Sequence, residues 1–335
     1  MPISRSGKPG IAITLGDPAG IGPEVTVKAL RSLKKTNSAH FVVLGKADAF
    51  NRLSRRLRAG LLFKDVRDLS QWNVPLSFVP CYFPGEFPKK IKPGVYQRQA
   101  VQAAVRSIEL GAFLALSGRV DALVTAPINK ASVRKAGFKI PGHTEFLAEL
   151  SGTKHYEMML VGGPLRVVLV TRHLALSRVS KALTVRGIEQ AILTTEKFLR
   201  EKLGIKRPRL AVCALNPHAG ESGHFGKEEM RLIEPAVARA RKRSKAILEG
   251  PLSADVLFRQ AFLGRYDAEI CMYHDQGQIP LKMISRGAGV NVTPGLPFVR
   301  TSPDHGTGYD IAGRLIADAG SMVEALKLAV QLSRR

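Results

Sequence analysis

Two observations predict an α/β fold. Short apolar, β-branched runs recur along the chain, each closing in a Gly, Pro or polar turn, and the stretches between them return apolar residues every three or four positions. A third observation sets the scale: 335 residues, 45% of them apolar, provide core for one large or two modest domains and exclude disordered and fibrous classes.

The strand candidates come in order. Residues 10–15 run into GDPAGIGPE, 40–44 into GKAD, 120–125 into APINK, 167–171 into RHLAL, 210–215 into NPHAGE and 268–273 into HDQGQ. Helical spacing covers residues 23–33, 97–116, 185–203, 227–241 and 322–332, lengths that suit crossovers between parallel strands. The Pro-rich, aromatic stretch 75–93 reads as an ordered loop. Neither an internal repeat nor a low-complexity linker interrupts the pattern, so two domains, if present, are expected to share a sheet.

The chain carries a net charge of +24, which raises nucleic acid, membranes and acidic small molecules as partner classes without choosing among them. The basic clusters at 52–58 and 239–245 fall on expected helices without interleaved aromatic residues, so solvated helix faces are expected and no nucleic-acid partner. Cys81, Cys213 and Cys271 lie too far apart in sequence for a disulfide framework or a zinc-type pair, which fits a reducing compartment. MPISRSGKPG lacks the apolar core of a secretory signal, and no apolar run is long enough for a span; a cytoplasmic protein with no membrane partner is expected.

Parallel α/β sheets place their functional loops beyond the carboxyl ends of the strands. Three such loops carry histidine: His173 after RVVLVTR, His218 after AVCALNP and His274 after EICMY. Three imidazoles on one rim would bind a divalent metal and leave a position open for substrate, whereas each alone reads as a satisfied turn residue. Asp275 beside His274, and Asp255 in GPLSADVLF, can each ligate, orient an imidazole or take a proton, with helix capping the competing role for Asp255. In IPGHTEF, His143 and Thr144 offer two hydrogen-bonding side chains to an anion, or Thr144 closes a capping box. Lys130 in PINK is either an anion contact or proton relay, or a solvated helix lysine.

The stretch GDPAGIGPE satisfies neither the dinucleotide fingerprint nor the P-loop, because Val25 stands where the third glycine belongs and Gly-Lys-Ser/Thr is absent. Its glycines allow close backbone approach to a ligand that Asp17 would line. Lys282, Asn291 and Arg300 punctuate a Gly- and Pro-rich segment suited to wrapping an anionic group. DHGTGYDIAG then reads as a turn followed by a helix beginning near Asp310.

At these residues the chain resembles the 4-hydroxythreonine-4-phosphate dehydrogenase (PdxA) family, through GDPAGIGPE, APINK, PGHTEFLAE, TRHLAL, LNPHAGE, GPLSAD, MYHDQGQ, NVTPGLPFVRTSPDHGT and DIAG. The resemblance implies an isocitrate/isopropylmalate dehydrogenase-like fold, with two α/β lobes sharing a sheet around a central cleft. The lobes would be residues 1–128 with 280–335 on the cofactor side, and 129–279 on the metal and dimer side. It also implies a homodimer whose active site lies at the subunit interface. His173, His218 and His274 would be the metal ligands for one divalent ion per site (Zn, Mg, Mn or Co). His143, Thr144, Lys282, Asn291 and Arg300 would bind the phosphorylated substrate, and Asp255, Asp275 or Lys130 would move the proton. HGTGYDIAG is similar to the segment that grips the nicotinamide cofactor in decarboxylating dehydrogenases, which implies that His305, Gly306, Thr307 and Asp310 hold NAD or NADP. The implied reaction oxidises 4-phosphooxy-L-threonine to a 3-oxo acid that decarboxylates to 3-amino-2-oxopropyl phosphate. Oxidation of 4-phospho-D-threonate or 4-phospho-D-erythronate, within the same family, and metal-dependent hydrolysis are the alternatives.

Overall fold

Residues 7–69 and 77–334 are described by the structure, a computed structural model. Six N-terminal residues of the stretch inspected for a signal, and Pro75 and Leu76 of the Pro-rich stretch, lie outside them. The chain divides into two compact units, Met1–Thr153 with Leu296–Arg335, and Lys154–Gly295.

The first unit opens on β1 (Gly10–Thr14), α1 (Gly22–Leu33), β2 (His40–Leu44), α2 (Ala47–Arg56), β3 (Phe63–Asp65) and β4 (Val79–Cys81). It continues through α3 (Arg98–Leu116), β5 (Ala122–Val124), α4 (Lys130–Lys135) and α5 (His143–Leu150). The second unit contains β6 (Met159–Gly162), β7 (Leu165–Leu169), α6 (Val179–Ala182), α7 (Val185–Leu203), β8 (Arg209–Cys213) and α8 (Glu234–Arg241). It ends with β9 (Ile247–Leu252), α9 (Ala254–Phe262), β10 (Ala268–Cys271), α10 (His274–Ser285) and β11 (Val290–Val292). The chain then returns to the first unit for β12 (Val299–Pro303) and α11 (Gly320–Ser333).

The strands of the first unit lie in the order β3-β4-β2-β1-β5-β12, all parallel. Those of the second lie in the order β11-β6-β7-β10-β8-β9, antiparallel from β11 to β7 and parallel from β7 to β9. Near-continuous apolar strands such as Ile11–Ile13 and Leu210–Val212 are buried on both faces, as parallel sheets covered by helices require.

Local chemistry sets the helix ends. Thr184 caps α7 by accepting from the Gly187 N–H at 3.0 Å, and the helix stops at Gly204, whose φ of +69° is left-handed. The single helix expected over 227–241 instead begins with a π turn over Glu229–Ile233 and becomes α-helical only from Glu234. Pro235 lacks the N–H that a continuous helix would need there, and its ring crowds the preceding turn.

The unit boundaries fall further along the chain than 128/129 and 279/280. Helices α4 and α5 pack on α3, so the segment bearing Lys130, His143 and Thr144 stays in the first unit. Helix α10 packs on β6 and β7, and β11 pairs with β6, so Lys282 and Asn291 stay in the second. Among the described residues, no helix is long and apolar enough to cross a membrane.

Candidate active site

In the first unit, parallel register brings the ends of β1, β5 and β12 side by side: Ile13 pairs with Val124, and Val124 with Thr301. From β12, Arg300 lies 2% exposed. Its Nη2 and Nε donate to Thr125 Oγ1 at 2.6 and 3.1 Å, and its Nη1 to Thr144 Oγ1 at 3.4 Å. Burial pushes the guanidinium down to about 10, with the Glu145 carboxylate opposing, so it stays charged at neutral pH.

His143, the first residue of α5, is pushed well below the ordinary imidazole range by burial and then by the Arg300 and Lys130 charges. The ring is therefore neutral. The Ala126 backbone holds it, and Nε2 is buried with no partner, a polar atom left for a ligand to satisfy. The exposed Lys130 opens α4 behind Asn129, whose side chain caps the helix by accepting from Ser132 N at 2.9 Å.

Thr307 is buried, and its carbonyl accepts from Ile21 N at 2.8 Å. A Cβ at Gly20 would stand 2.6 Å from that carbonyl oxygen. The glycines of GDPAGIGPE therefore admit close approach of the protein's own 305–310 loop. Asp17 faces that loop too: Tyr309 donates to Asp17 Oδ2 at 2.5 Å, and burial raises the Asp17 pKa against this bond and the one from Ala19 N. His305 Nε2 is buried and unpaired, while Gly306 and Asp310 are exposed. The helix expected from Asp310 does not form. Turn bonds from Ile311 N to the Gly308 carbonyl and from Arg314 N to the Ile311 carbonyl are followed by left-handed Gly313 and Leu315, and helix resumes only at Gly320.

In the second unit, His173, His274 and His218 follow the ends of β7, β10 and β8, three adjacent parallel strands, and Asp255 follows β9 on their flank. Thr171 Oγ1 donates to the Met272 carbonyl at 2.6 Å, tying the first two loops together. Gln276 joins the third, accepting from Met272 N at 2.7 Å and donating to the Ala214 carbonyl at 2.6 Å. The His173 and His274 rings stand 5.8 Å apart, in a recess of about 190 Å³ lined also by Arg172, Leu176, Tyr273 and Asp275.

An ion about 2.1 Å from one nitrogen of each ring fits that separation, so the pair suits a metal. Asp275 Oδ1 lies 2.6 Å from His274 Nδ1, which leaves Nε2 outward, as in carboxylate–histidine–metal arrangements. The described residues of one chain do not, however, bring three His, Cys, Asp or Glu side chains into a metal-holding cluster. His218 stands on a left-handed backbone run beyond β8. Asp255, exposed in the first turn of α9, is held below the ordinary carboxylate range by the Ser253 hydroxyl at 2.6 Å, then by the Val256 backbone, with His218 contributing more weakly. Also in this unit, Lys282 is exposed on α10, and Asn291 on β11 has its Oδ1 buried and unpaired.

Three contributors escaped the sequence reading. Thr125 was visible as a strand end, but its partner Arg300 lies 175 residues away in sequence. Gln276 sits inside MYHDQGQ without a spacing signal. Glu229 falls inside the expected 227–241 helix, with no spacing signal that it is buried.

Parallel α/β units with polar side chains gathered at their strand ends define an enzyme of the dehydrogenase type once likeness to known proteins is added. The family model described as "Pyridoxal phosphate biosynthetic protein PdxA" matches residues 37–329, and the chain belongs to that family. It is 45% identical to the 4-hydroxythreonine-4-phosphate dehydrogenase of Caulobacter vibrioides, over 97% of this chain and 98% of that one. It is 41% identical to the D-threonate 4-phosphate dehydrogenase of Salmonella typhimurium, over 96% of this chain and 98% of that one. Among solved structures, a 4-hydroxythreonine-4-phosphate dehydrogenase from Burkholderia phymatum superposes with a TM-score of 0.86 at 40% identity, covering 97% of this chain and 98% of that one. A dehydrogenase family of this kind implies a nicotinamide cofactor.

Proposed function

We propose that this protein oxidises the C3 hydroxyl of 4-phosphooxy-L-threonine with NAD or NADP, in pyridoxine and pyridoxal 5'-phosphate biosynthesis. The 3-oxo acid product would lose carbon dioxide to leave 3-amino-2-oxopropyl phosphate. The observation that carries the reading is the buried, charged Arg300 beside a neutral His143 whose Nε2 lacks a partner. A fixed guanidinium suits a phosphate or carboxylate, and an unpaired buried imidazole nitrogen suits a substrate hydroxyl or amine.

Arg300 and Lys282 bind the phosphate in this reading, while His143, Thr144 and Asn291 orient the carbon skeleton. His305, Gly306, Thr307 and Asp310 would hold the nicotinamide cofactor, which would supply the hydride acceptor. A divalent ion (zinc, magnesium, manganese or cobalt) held by His173, His218 and His274 would supply Lewis acidity that lowers the pKa of the hydroxyl and favours loss of carbon dioxide. Asp275, bonded to His274, orients that ring; Asp255, ionised across neutral pH, or Lys130 takes the hydroxyl proton.

A homodimer with the site at its interface accounts for the incomplete histidine set. Leu174 and Leu176 flank His173, and Ile279 and Met283 stand on α10 beyond His274, between 45% and 76% exposed in the single chain. Mixing His173→Ala with His218→Ala protein tests this: activity recovered from two inactive variants supports a shared site, and none recovered contradicts it. The cytoplasm, where both cofactors and reduced thiols are available, is the expected location.

The relative named D-threonate 4-phosphate dehydrogenase favours a second reading, in which a hydroxyl replaces the substrate amine. Reduced-cofactor absorbance measured side by side on 4-phosphooxy-L-threonine, 4-phospho-D-threonate and 4-phospho-D-erythronate separates the readings. A higher kcat/KM on the threonine compound is expected, and preference for either acid would overturn the first choice. Turnover without reduced cofactor would point to hydrolysis instead.

A further inference from the structure

From His218 to Gly223 the backbone is left-handed throughout: His218, Ala219, Glu221 and Ser222 hold φ of 50°, 53°, 42° and 55° around Gly220. For side-chain-bearing residues this conformation is unfavourable, because Cβ crowds the following carbonyl, and it persists only where the surroundings over-determine it.

One carboxylate stands at the entrance to this run, which turn bonds from His224 N to the Glu221 carbonyl and from Phe225 N to the Gly220 carbonyl, both at 3.1 Å, close at its far end. Glu229 is 1% exposed. Its Oε1 accepts from the backbone N–H groups of Leu215 and Asn216, both at 2.8 Å. Its Oε2 accepts from Asn216 Nδ2 at 2.9 Å, and that amide also reaches Glu228 Oε2 at 2.9 Å. The space is closed around these atoms: a Cβ at Gly220 would stand 2.7 Å from Glu229 Oε2, and one at Gly226 would overlap Asn216 Nδ2. Glu229 opens the π turn of residues 229–233, a distortion that recurs at functional sites.

We infer that Glu229 is the positioning residue for His218: its carboxylate anchors residues 215 and 216, and the left-handed run then carries the imidazole to its place beyond β8. Every partner of the carboxylate is a donor, so the site requires an acceptor at both oxygens. Glutamine, with the same volume, can keep an acceptor for the two backbone N–H groups but sets its own N–H against Asn216 Nδ2. This rests on His218 being a metal ligand.

Cobalt binding to metal-stripped protein, followed by chelator competition and by the visible spectrum of the bound ion, tests it without turnover. Glu229→Gln is expected to weaken cobalt binding about 10- to 100-fold, the usual effect of losing a group that orients a ligand, and to change the spectrum. Asn216→Ser, which removes the amide's bonds to Glu229 and Glu228 and leaves the two backbone bonds to Glu229 in place, is the milder change for folding and should weaken it about 3- to 10-fold by the same effect. Glu234→Gln, at an exposed position on α8, should bind cobalt as the wild type does. His218→Ala is measured alongside. If it binds cobalt normally, the metal reading fails and this inference with it. If His218→Ala loses cobalt while Glu229→Gln and Asn216→Ser stay within twofold of wild type, the metal reading stands and the role of Glu229 is overturned.

Discussion

Arg300 and His274 show two ways of holding a polar group at the end of a parallel strand. Arg300 is sealed in the first unit by Thr125 and Thr144, and its geometry is fixed before any ligand arrives. His274 stands on the rim of the second unit with its side chain 38% exposed, oriented by Asp275 and facing His173 across an open recess. A buried guanidinium is oriented by folding itself, which suits binding an anion in one geometry. An exposed rim is free to accept further donors, which suits a centre completed by an ion and a second subunit.

The largest expected effect lies on the rim. His218→Ala should remove metal-dependent turnover by a factor of about 10³ or more, given what a metal contributes to charge stabilisation, while the melting temperature stays within a few degrees. Retained activity in metal-free buffer would break the contrast by removing the metal from it. On the buried side, Arg300→Lys keeps the charge and loses the fork. We expect KM for the phosphorylated substrate to rise about 10- to 100-fold with a smaller change in kcat, and an unchanged KM would take Arg300 out of the substrate site.

A third prediction concerns the floor of the second unit. Glu269, fully buried on β10, is pushed up to about 8 by burial, against the Arg166 backbone bond. The folded protein therefore binds this proton more tightly than the unfolded chain does. Its contribution is fully present below the ordinary value of 4.5 and is lost as pH rises toward about 8. Glu269→Gln should flatten that window and stabilise the protein above it by up to several kcal/mol, at about 1.4 kcal/mol per pKa unit. Denaturant titrations from pH 4 to 9 read this directly, and parallel wild-type and variant curves would contradict it. The smallest effect is expected for Tyr309→Phe, which leaves one oxygen of the buried Asp17 without its donor. A loss of about 1 to 2 kcal/mol in stability, with a modest rise in KM for the cofactor, would place the 305–310 loop on Asp17, and no change in either would detach it.

Much of the fold was legible because periodicity is local. β2 matches the expected 40–44 run and α7 the expected 185–203 run, since apolar spacing, a Thr cap and a closing Gly all sit in one segment. The three histidines were legible as strand-end residues, and the structure sets them on neighbouring strands. What spacing could not carry is contact between distant segments: Tyr309 reaches Asp17, and Arg300 reaches Thr125, only after the sheet has formed. Nor could it foresee a buried acid on a helical face. Glu229 lies inside the expected 227–241 helix with nothing to mark its burial against residues 215 and 216, although Pro235 does signal that the helix cannot be regular. The helix expected at Asp310 failed for a related reason, because Gly313 and Leu315 adopt left-handed conformations that spacing does not encode.

The reaction itself is the most direct test. Metal-stripped protein given 4-phosphooxy-L-threonine with NAD or NADP should generate almost no reduced cofactor, and adding back zinc, magnesium, manganese or cobalt should restore it for at least one ion. Full turnover without metal, or restored metal with no reduced cofactor formed, would contradict the account.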